Sequence, residues 1–291
     1  MNKRILCVKS LAVVPVLAAL AASNVALSAD TIAADTQVEG SSPRSLLDDR
    51  FMISLGTFLL SQKTKVEIDG AGGNGTEINT EKDLGFKDAD RFRLDATWRF
   101  AEKHKIRAMY FNVGQSATKQ LERDITVDDT TYPVSATVTS KKSTDVYELA
   151  YEYSFLRRDN YEITASAGLH VMDFSFSLSG TGTVNGIPGQ AHTETAAVTA
   201  PLPVFGLRGL WELAPNWFLD AQGQYFQLKI GDVDGRVTDF RAGVTWMFSN
   251  HVGVGAGYNS FATKVNVTKT AFDGNMKWRY SGAQVFITGS F

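Results

Sequence analysis

The stretch RFRLDATWRF, residues 91–100, alternates charged or polar side chains with apolar ones along its whole length. Successive side chains of an extended strand point to opposite faces, so this stretch predicts a strand with one apolar face and one charged face. Phe92 stands at one end of the apolar face, and Trp98 and Phe100 stand at the other. A strand of this kind is typical either of a soluble sandwich or of a barrel in a lipid bilayer.

The same alternation recurs along the chain, in residues 147–155, 161–170, 217–225, 240–248, 252–258 and 283–291. The connections alternate between tight turns, such as residues 102–105 and 157–160, and long polar segments, such as residues 119–144. Short turns on one side and long loops on the other are typical of outer-membrane barrels. We therefore predict an all-β fold, a transmembrane antiparallel up-and-down β-barrel of about ten strands, with eight or twelve strands as the alternatives.

Aromatic side chains are sorted to the ends of the predicted strands, as membrane interfaces require. Next to the short turns lie Trp98, Phe100, Phe155, Tyr161, Trp211, Trp217, Trp246, Phe248 and Phe291. Toward the long loops lie Phe92, Tyr147, Tyr225, Phe240, Tyr258 and Trp278. The separation of Phe92 and Phe100 corresponds to ~19 Å of height at a strand tilt of ~45°, near the ~25 Å apolar band of such barrels. This sorting favours the membrane barrel over the soluble sandwich.

One predicted strand departs from the alternation. After His170, the apolar side chains Phe174, Phe176 and Leu178 occupy the positions that were polar earlier in the strand. This change of face predicts a β-bulge near Met172 and Asp173.

The N-terminal residues have the features of an export signal. Basic residues surround its start, residues 11–22 are apolar apart from Pro15, and a small residue precedes Asp30. The apolar run is too short for a membrane helix of ~20 residues. We predict a signal peptide at residues 1–29, a flexible periplasmic segment at residues 30–49 and the barrel domain at residues 50–291.

Removal of this signal changes the charge of the chain. It takes away three basic residues and no acidic one, so the formal net charge moves from −2 to −5. Mild acidity argues against a nucleic-acid partner, which requires clustered basic residues. The single cysteine, Cys7, is removed as well, which leaves neither disulfide nor thiol chemistry. No apolar stretch of about 18 residues follows residue 29, so a membrane-spanning part has to be a barrel.

The chain ends on AQVFITGSF, residues 283–291, an alternating strand whose last residue is Phe291. Together with the export signal and the alternating strands, residues 50–291 resemble the small bacterial outer-membrane β-barrel proteins, the OmpA/OmpW/OmpX-like group. Gly289 stands where that group usually has an aromatic residue. The resemblance implies location in the bacterial outer membrane, contact with outer-membrane lipids and lipopolysaccharide, and insertion by the barrel-assembly machinery through the segment ending at Phe291. It implies an architecture and no single activity.

The charged faces of the predicted strands converge on the barrel lumen. The residues expected to line it are Arg91, Arg93, Asp95, Arg99, Arg107, Glu148, Glu152, Glu162, His170, Arg208, Glu212, Asp220, Asp239 and Arg241. A ten-stranded barrel has a narrow interior, and mixed charges inside it are compatible with a salt-bridged plug or with a constricted pore. We predict a narrow or gated passive channel for small solutes. The alternatives are a surface adhesin or structural barrel acting through its long outer loops, and an outer-membrane lipid-modifying enzyme.

No residue pattern indicates catalysis, a metal or a cofactor. His170 is the only histidine predicted inside the barrel, where a hydrogen-bonded lining role is favoured over catalysis. His104, His192 and His251 fall in separate connections and predict no metal site. The glycines of GVGAG, residues 253–257, line one side of a strand and predict space for bulky neighbours rather than a nucleotide-binding loop. We expect no enzyme activity, no cofactor and no metal.

Overall fold

The computed structural model describes residues 45–69, 75–87, 89–128, 130–184, 187–269 and 272–291. The predicted signal peptide and residues 30–44 of the predicted periplasmic segment lie outside these residues.

Ten long strands, three short strands and one short helix make up the described part of the chain. The long strands are β1 (Phe51–Asp69), β3 (Ala89–Ala101), β4 (His104–Gln120), β7 (Thr137–Arg158), β8 (Tyr161–Val184), β9 (Ile187–Ala214), β10 (Trp217–Ile230), β11 (Val233–Met247), β12 (Val252–Lys269) and β13 (Phe272–Ser290). The short elements are β2 (Ile78–Asn79), α1 (Thr80–Leu84), β5 (Ile125–Val127) and β6 (Thr130–Tyr132).

The long strands pair antiparallel with their neighbours until the ring closes. The last strand returns to the first, where Ile287 of β13 lies opposite Leu55 of β1. On its other side Leu55 lies opposite Leu94 of β3. A closed ring satisfies the backbone hydrogen bonds of every strand without leaving an edge in the lipid. The predicted antiparallel barrel is confirmed, and within the described residues the ring contains ten long strands.

Outward side chains form an apolar band with aromatic rings along the short-turn rim. The exposed predicted interfacial aromatics are Trp98, Phe100, Phe155, Trp217, Trp246, Phe248 and Phe291. Tyr161 and Trp211 are half-buried, and the ring of Trp211 lies over Gly209. Trp278 was expected at the loop-side interface, but it is buried inside the barrel, so that prediction is wrong.

Strand β8 keeps its register through the region where a bulge was predicted. It pairs with β7 without interruption between residues 164 and 180, so the bulge near Met172 and Asp173 is wrong. His170 and Met172 have the same parity along the strand and are both buried. Phe176, four residues beyond Met172 and therefore on the same face, is also buried. The inner face therefore changes from polar to apolar while the strand itself stays regular.

The outer end of the barrel is filled by a hydrophobic core. Short elements fold into the mouth and contribute Ile78, Leu84, Ile125 and Tyr132, each at most 1% exposed. Helix α1 begins at an Asn79 cap, whose side chain accepts a hydrogen bond from the Lys82 amide at 2.9 Å. None of the described residues belongs to a helix that is long and apolar enough to cross a membrane.

The short-turn end is covered by the residues that precede β1. Leu46 and Leu47 are buried, and Leu46 packs against Phe218 and Met247. Arg99 donates a hydrogen bond to the Leu47 carbonyl at 3.0 Å. Leu46 and Leu47, which the sequence places in the predicted periplasmic segment, are therefore packed against the barrel.

Candidate functional site

The lumen consists of two layers with opposite chemistry. In the half nearest the short turns, the inward positions carry a network of ion pairs. In the half nearest the long loops, the inward positions carry aliphatic and aromatic side chains such as Phe111, Phe176 and Phe261. We call these the ionic layer and the apolar layer.

Glu162 forms the part of the ionic layer closest to the short turns. Its carboxylate accepts two hydrogen bonds from Arg99, at 2.8 and 2.9 Å. It also accepts one from Lys105 at 2.7 Å and one from Ser154 at 2.6 Å. A carboxylate buried at 1% exposure is thereby supplied with donors from three other strands.

Arg107 occupies the centre of the network. Its Nε donates to Glu152 at 2.9 Å, and its two terminal nitrogens bond Glu148. Glu148 also accepts a hydrogen bond from Gln224 at 2.7 Å and lies 3.2 Å from Nε2 of His170. His170 therefore has the hydrogen-bonded position that its place in a lumen strand predicts.

Arg241 links the two carboxylates on the other side of the lumen. It donates to Asp95 at 2.8 Å and to Asp220 at 3.0 Å. Arg93 pairs with Asp95 at 2.8 Å, and Arg208 pairs with Asp220 at 2.6 Å.

Asn259 extends this side of the network to a further carboxylate. It accepts a hydrogen bond from Arg93 at 3.3 Å and donates one to Asp239 at 2.6 Å.

Charges of the two signs are equal in number in the ionic layer. Over the described residues the cations are Arg93, Arg99, Lys105, Arg107, Arg208 and Arg241, and the carboxylates are Asp95, Glu148, Glu152, Glu162, Asp220 and Asp239. Ten of the twelve are buried, whereas a water-filled channel would leave its lining charges exposed. Asp95 and Asp220 are half-buried and border a cavity of ≈ 50 Å³, which has room for a few water molecules.

Two predicted lining residues lie at the ends of the lumen rather than in the network. Arg91 donates to the Gly114 carbonyl at 2.7 Å near the loop side. Glu212 accepts a hydrogen bond from Ser45 at 2.9 Å at the short-turn end. The other predicted lumen residues lie in the ionic layer.

Lys105 is a network residue that the sequence reasoning missed. It was assigned to the tight turn before β4, but it is buried, 2.7 Å from Glu162 and 3.7 Å from Glu152. Its position two residues before Arg107, on the same side of β4, is the signal that could have identified it.

Glycines of β12 make the space that the sequence predicted. A Cβ atom at Gly255 would collide with the ring of Phe286, and one at Gly253 would lie 2.5 Å from the sulfur of Met247. This role of the glycines is confirmed.

Lys142 is a buried cation within the apolar layer, and it holds α1 in the mouth. Its ammonium donates to Thr64 at 2.9 Å, lies 3.7 Å from Glu81 of α1, and lies 5.3 Å from the ring centroid of Phe86. It follows from its position five residues beyond Tyr147 that it lies ~12 Å outside the membrane band. Burial lowers the pKa of Lys142 to about 8, although Glu81 partly opposes this shift.

Beyond the membrane band the outward side chains also change. On β4, β7, β8 and β9 they are mostly hydroxylated, namely Ser116, Thr118, Thr137, Thr139, Ser143, Ser175, Ser177, Ser179, Thr181, Thr193, Thr195 and Thr199. Hydroxyls pair across strands, as between Thr118 and Thr139 at 3.0 Å and between Ser179 and Thr193 at 2.9 Å. We call this surface the hydroxyl face.

No protein-family model and no curated protein matches the sequence. Among solved structures, the outer membrane protease OmpT from Escherichia coli matches with a TM-score of 0.55 and 12% identity over 84% of this chain and 97% of that chain. The Pseudomonas putida toluene transporter TodX matches with a TM-score of 0.36 and 10% identity over 86% of this chain and 92% of that chain. Ail of Yersinia pestis matches with a TM-score of 0.30 and 9% identity over 83% of this chain and 97% of that chain. At such identities the likeness concerns the fold alone, and this chain has the fold of an outer-membrane β-barrel protein.

Proposed function

We propose that this protein is an outer-membrane barrel whose lumen is closed at rest and which acts as a binding module at the cell surface. Export through the predicted signal peptide, insertion through the segment ending at Phe291 and contact with outer-membrane lipids belong to the same proposal. No catalytic or cofactor role is part of it.

The observation that carries the proposal is the length and order of the outer extension. Strands β7, β8 and β9 contain 22, 24 and 28 residues, whereas ~9–11 residues of a tilted strand cross a bilayer. Residues 137–147 of β7 alone correspond to ~23 Å of height at ~45° tilt. A flexible spacer would need neither regular pairing nor a core, and this extension has both.

The hydroxyl face suggests the class of ligand. It is a sheet surface whose side chains donate and accept hydrogen bonds, with few charges. A neutral, polyhydroxylated polymer such as a surface polysaccharide fits this chemistry. The ligand is proposed to lie across β8 and β9, where the hydroxyl side chains of Ser177 and Thr195 lie directly opposite each other.

Closure of the lumen supports a role outside it. An ion-conducting path would require separation of paired charges in the ionic layer and displacement of side chains in the apolar layer. The narrow or gated channel predicted from the sequence stays a prediction, and it would describe a state other than this one.

The test is binding of bacteria that display the protein to an array of polysaccharides. Ser177→Lys with Thr195→Lys places two bulky charges on the hydroxyl face, and we expect this variant to lose binding. Thr238→Lys with Ala262→Lys is the matched control, because these residues form a directly opposite outward pair on the other side of the barrel. Equal binding by both variants, or none by the unmodified protein, would argue against the proposal.

A further inference from the structure

The outward surface on the other side of the barrel carries cations in rows across neighbouring strands. Lys65 lies opposite Lys277, Lys277 lies opposite Lys264, and Lys264 lies opposite Arg236. One step nearer the membrane, Lys63 lies opposite Arg279. These six side chains, Lys63, Lys65, Arg236, Lys264, Lys277 and Arg279, are exposed or half-buried, and we call them the basic rows.

Such rows are unfavourable for the barrel by itself. Like charges directly opposite each other on a sheet destabilise it. Glu77 compensates one end, since it accepts hydrogen bonds from Lys65 at 2.5 Å and from Lys277 at 3.1 Å. Across the described ranges of the chain, no carboxylate forms an ion pair with Arg236, Lys264 or Arg279. The surface therefore retains positive charge that an external anion would neutralise.

The basic rows lie just above the height of the lipid headgroups. The nearest exposed large apolar side chains toward the membrane are Leu59 on β1, Phe240 on β11 and Tyr258 on β12. The rows follow four to six residues later on these strands, which corresponds to ~9–14 Å of height. The headgroup layer occupies ~5–8 Å beyond the hydrocarbon core, so the rows lie just above it, and their long side chains can extend toward it.

This charge is confined to one side of the extension. The hydroxyl face on β4, β7, β8 and β9 has Lys141 as its one exposed cation among the described residues. The basic rows are thus confined to β1, β11, β12 and β13. The outer extension as a whole is not basic.

We infer that the basic rows bind the phosphate groups of lipopolysaccharide in the outer leaflet. Lysine and arginine are the side chains that pair best with phosphate, and neighbouring strands ~4.8 Å apart allow two or three of them to contact one phosphate group. The lipid would then fix which side of the barrel faces densely packed lipopolysaccharide and leave the hydroxyl face on the opposite side. This inference depends on placement in the outer membrane and not on the polysaccharide ligand proposed above.

The experiment measures binding of the refolded mature protein, in detergent, to lipid A with both phosphates and to lipid A with its phosphates removed. The test variant combines Arg236→Gln, Lys264→Gln and Lys277→Gln. The control variant combines Lys103→Gln, Lys141→Gln and Arg158→Gln, which removes the same charge at exposed positions elsewhere. Heat-modifiable gel mobility establishes that all three proteins are folded barrels.

We expect the test variant to bind phosphorylated lipid A roughly 100-fold more weakly than the control variant, given about 1 kcal/mol per basic side chain at a membrane surface. The two variants should bind dephosphorylated lipid A alike. Equal binding of phosphorylated lipid A by both variants would overturn the inference. Displacement of the lipid by an equal concentration of inorganic phosphate would also overturn it, because the rows would then form a general anion site.

Discussion

The two halves of this barrel are built with opposite polarity. Within the membrane band, β7 directs Glu148 and Glu152 inward and Leu149 outward, whereas in its outer extension it directs Val138 inward and Thr139 outward. The first arrangement suits a barrel in lipid, and the second is that of an ordinary water-soluble barrel. The surroundings of the sheet change from hydrocarbon to water along each strand. Apolar side chains therefore face outward within the membrane band and inward in the outer extension, and polar side chains do the reverse. The inversion itself marks the outer boundary of the membrane.

The largest expected effect concerns the ionic layer. Arg107→Ala leaves the buried carboxylates of Glu148 and Glu152 without their central cation, a change that typically destabilises by about 3–5 kcal/mol. Urea unfolding of the refolded protein in detergent, followed by tryptophan fluorescence, should show a loss of free energy of unfolding of this size. Arg158→Ala, at an exposed position, serves as the control. If Arg107→Ala lowers the free energy of unfolding by less than about 1 kcal/mol, the ion pairs do not stabilise the half of the barrel within the membrane band.

The outward surfaces should differ in their tolerance of charge. Leu207 lies exposed within the apolar band, and Leu207→Arg should destabilise the barrel in lipid by about 2–4 kcal/mol. Ser177→Arg, in the extension, should change the free energy of unfolding by less than about 0.5 kcal/mol, because that side chain faces water. Unfolding in lipid vesicles measures both. If the two substitutions have equal effects, the boundary between the two halves is misplaced.

The inward surfaces should show the opposite preferences for a single hydroxyl group. Val138→Thr adds a hydroxyl to the apolar layer at a fully buried position and should destabilise by about 2 kcal/mol. Thr164→Val removes a hydroxyl that donates to the Arg208 carbonyl at 3.3 Å in the ionic layer, and should cost about 1 kcal/mol. Both changes keep side-chain volume, so urea unfolding compares the polarity of the layers directly. Stabilisation by Val138→Thr would contradict the assignment of an apolar layer.

The smallest effect is a pH dependence from Lys142. Its pKa is lowered to about 8 in the folded protein, while the ordinary lysine pKa is about 10.5. As pH rises above about 8 the folded state loses this proton before the unfolded state does, so the unfolded state binds more protons and stability increases. The gain should be about 1 kcal/mol between pH 8 and 9. It should be absent in Lys142→Met, and an identical pH profile for the two proteins would show that Lys142 is not the source.

Sequence alternation was sufficient to assign inward and outward side chains in the membrane half, because lipid outside and charge inside give each strand a clear period of two. It was misleading for the outer half, where Phe174, Phe176 and Trp278 were assigned outward because apolar residues were assumed to face lipid throughout. In water-exposed strands the same residues point inward. A rule that allows the faces to exchange beyond the aromatic rim would have placed all three correctly.

The composition of the ionic layer was largely predictable, but its pairing was not. Charged residues with inward parity could be recognised strand by strand, whereas the pairing of Arg99 with Glu162 depends on strand shear and on contacts across the lumen. Lys105 was missed because a tight turn was assumed to include it. Packing of Leu46 under the barrel had no periodic signal, since it involves a single short segment.

Single-channel conductance of the refolded mature protein in planar bilayers tests the closed lumen most directly. The paired charges and the apolar layer predict an electrically silent barrel. A folded variant with both Arg107→Ala and Glu148→Ala should also stay silent, because the apolar layer still closes the lumen. Heat-modifiable gel mobility identifies the folded fraction in each sample. Reproducible, charge-selective current steps from the unmodified protein would contradict a closed lumen and would restore the channel as its function.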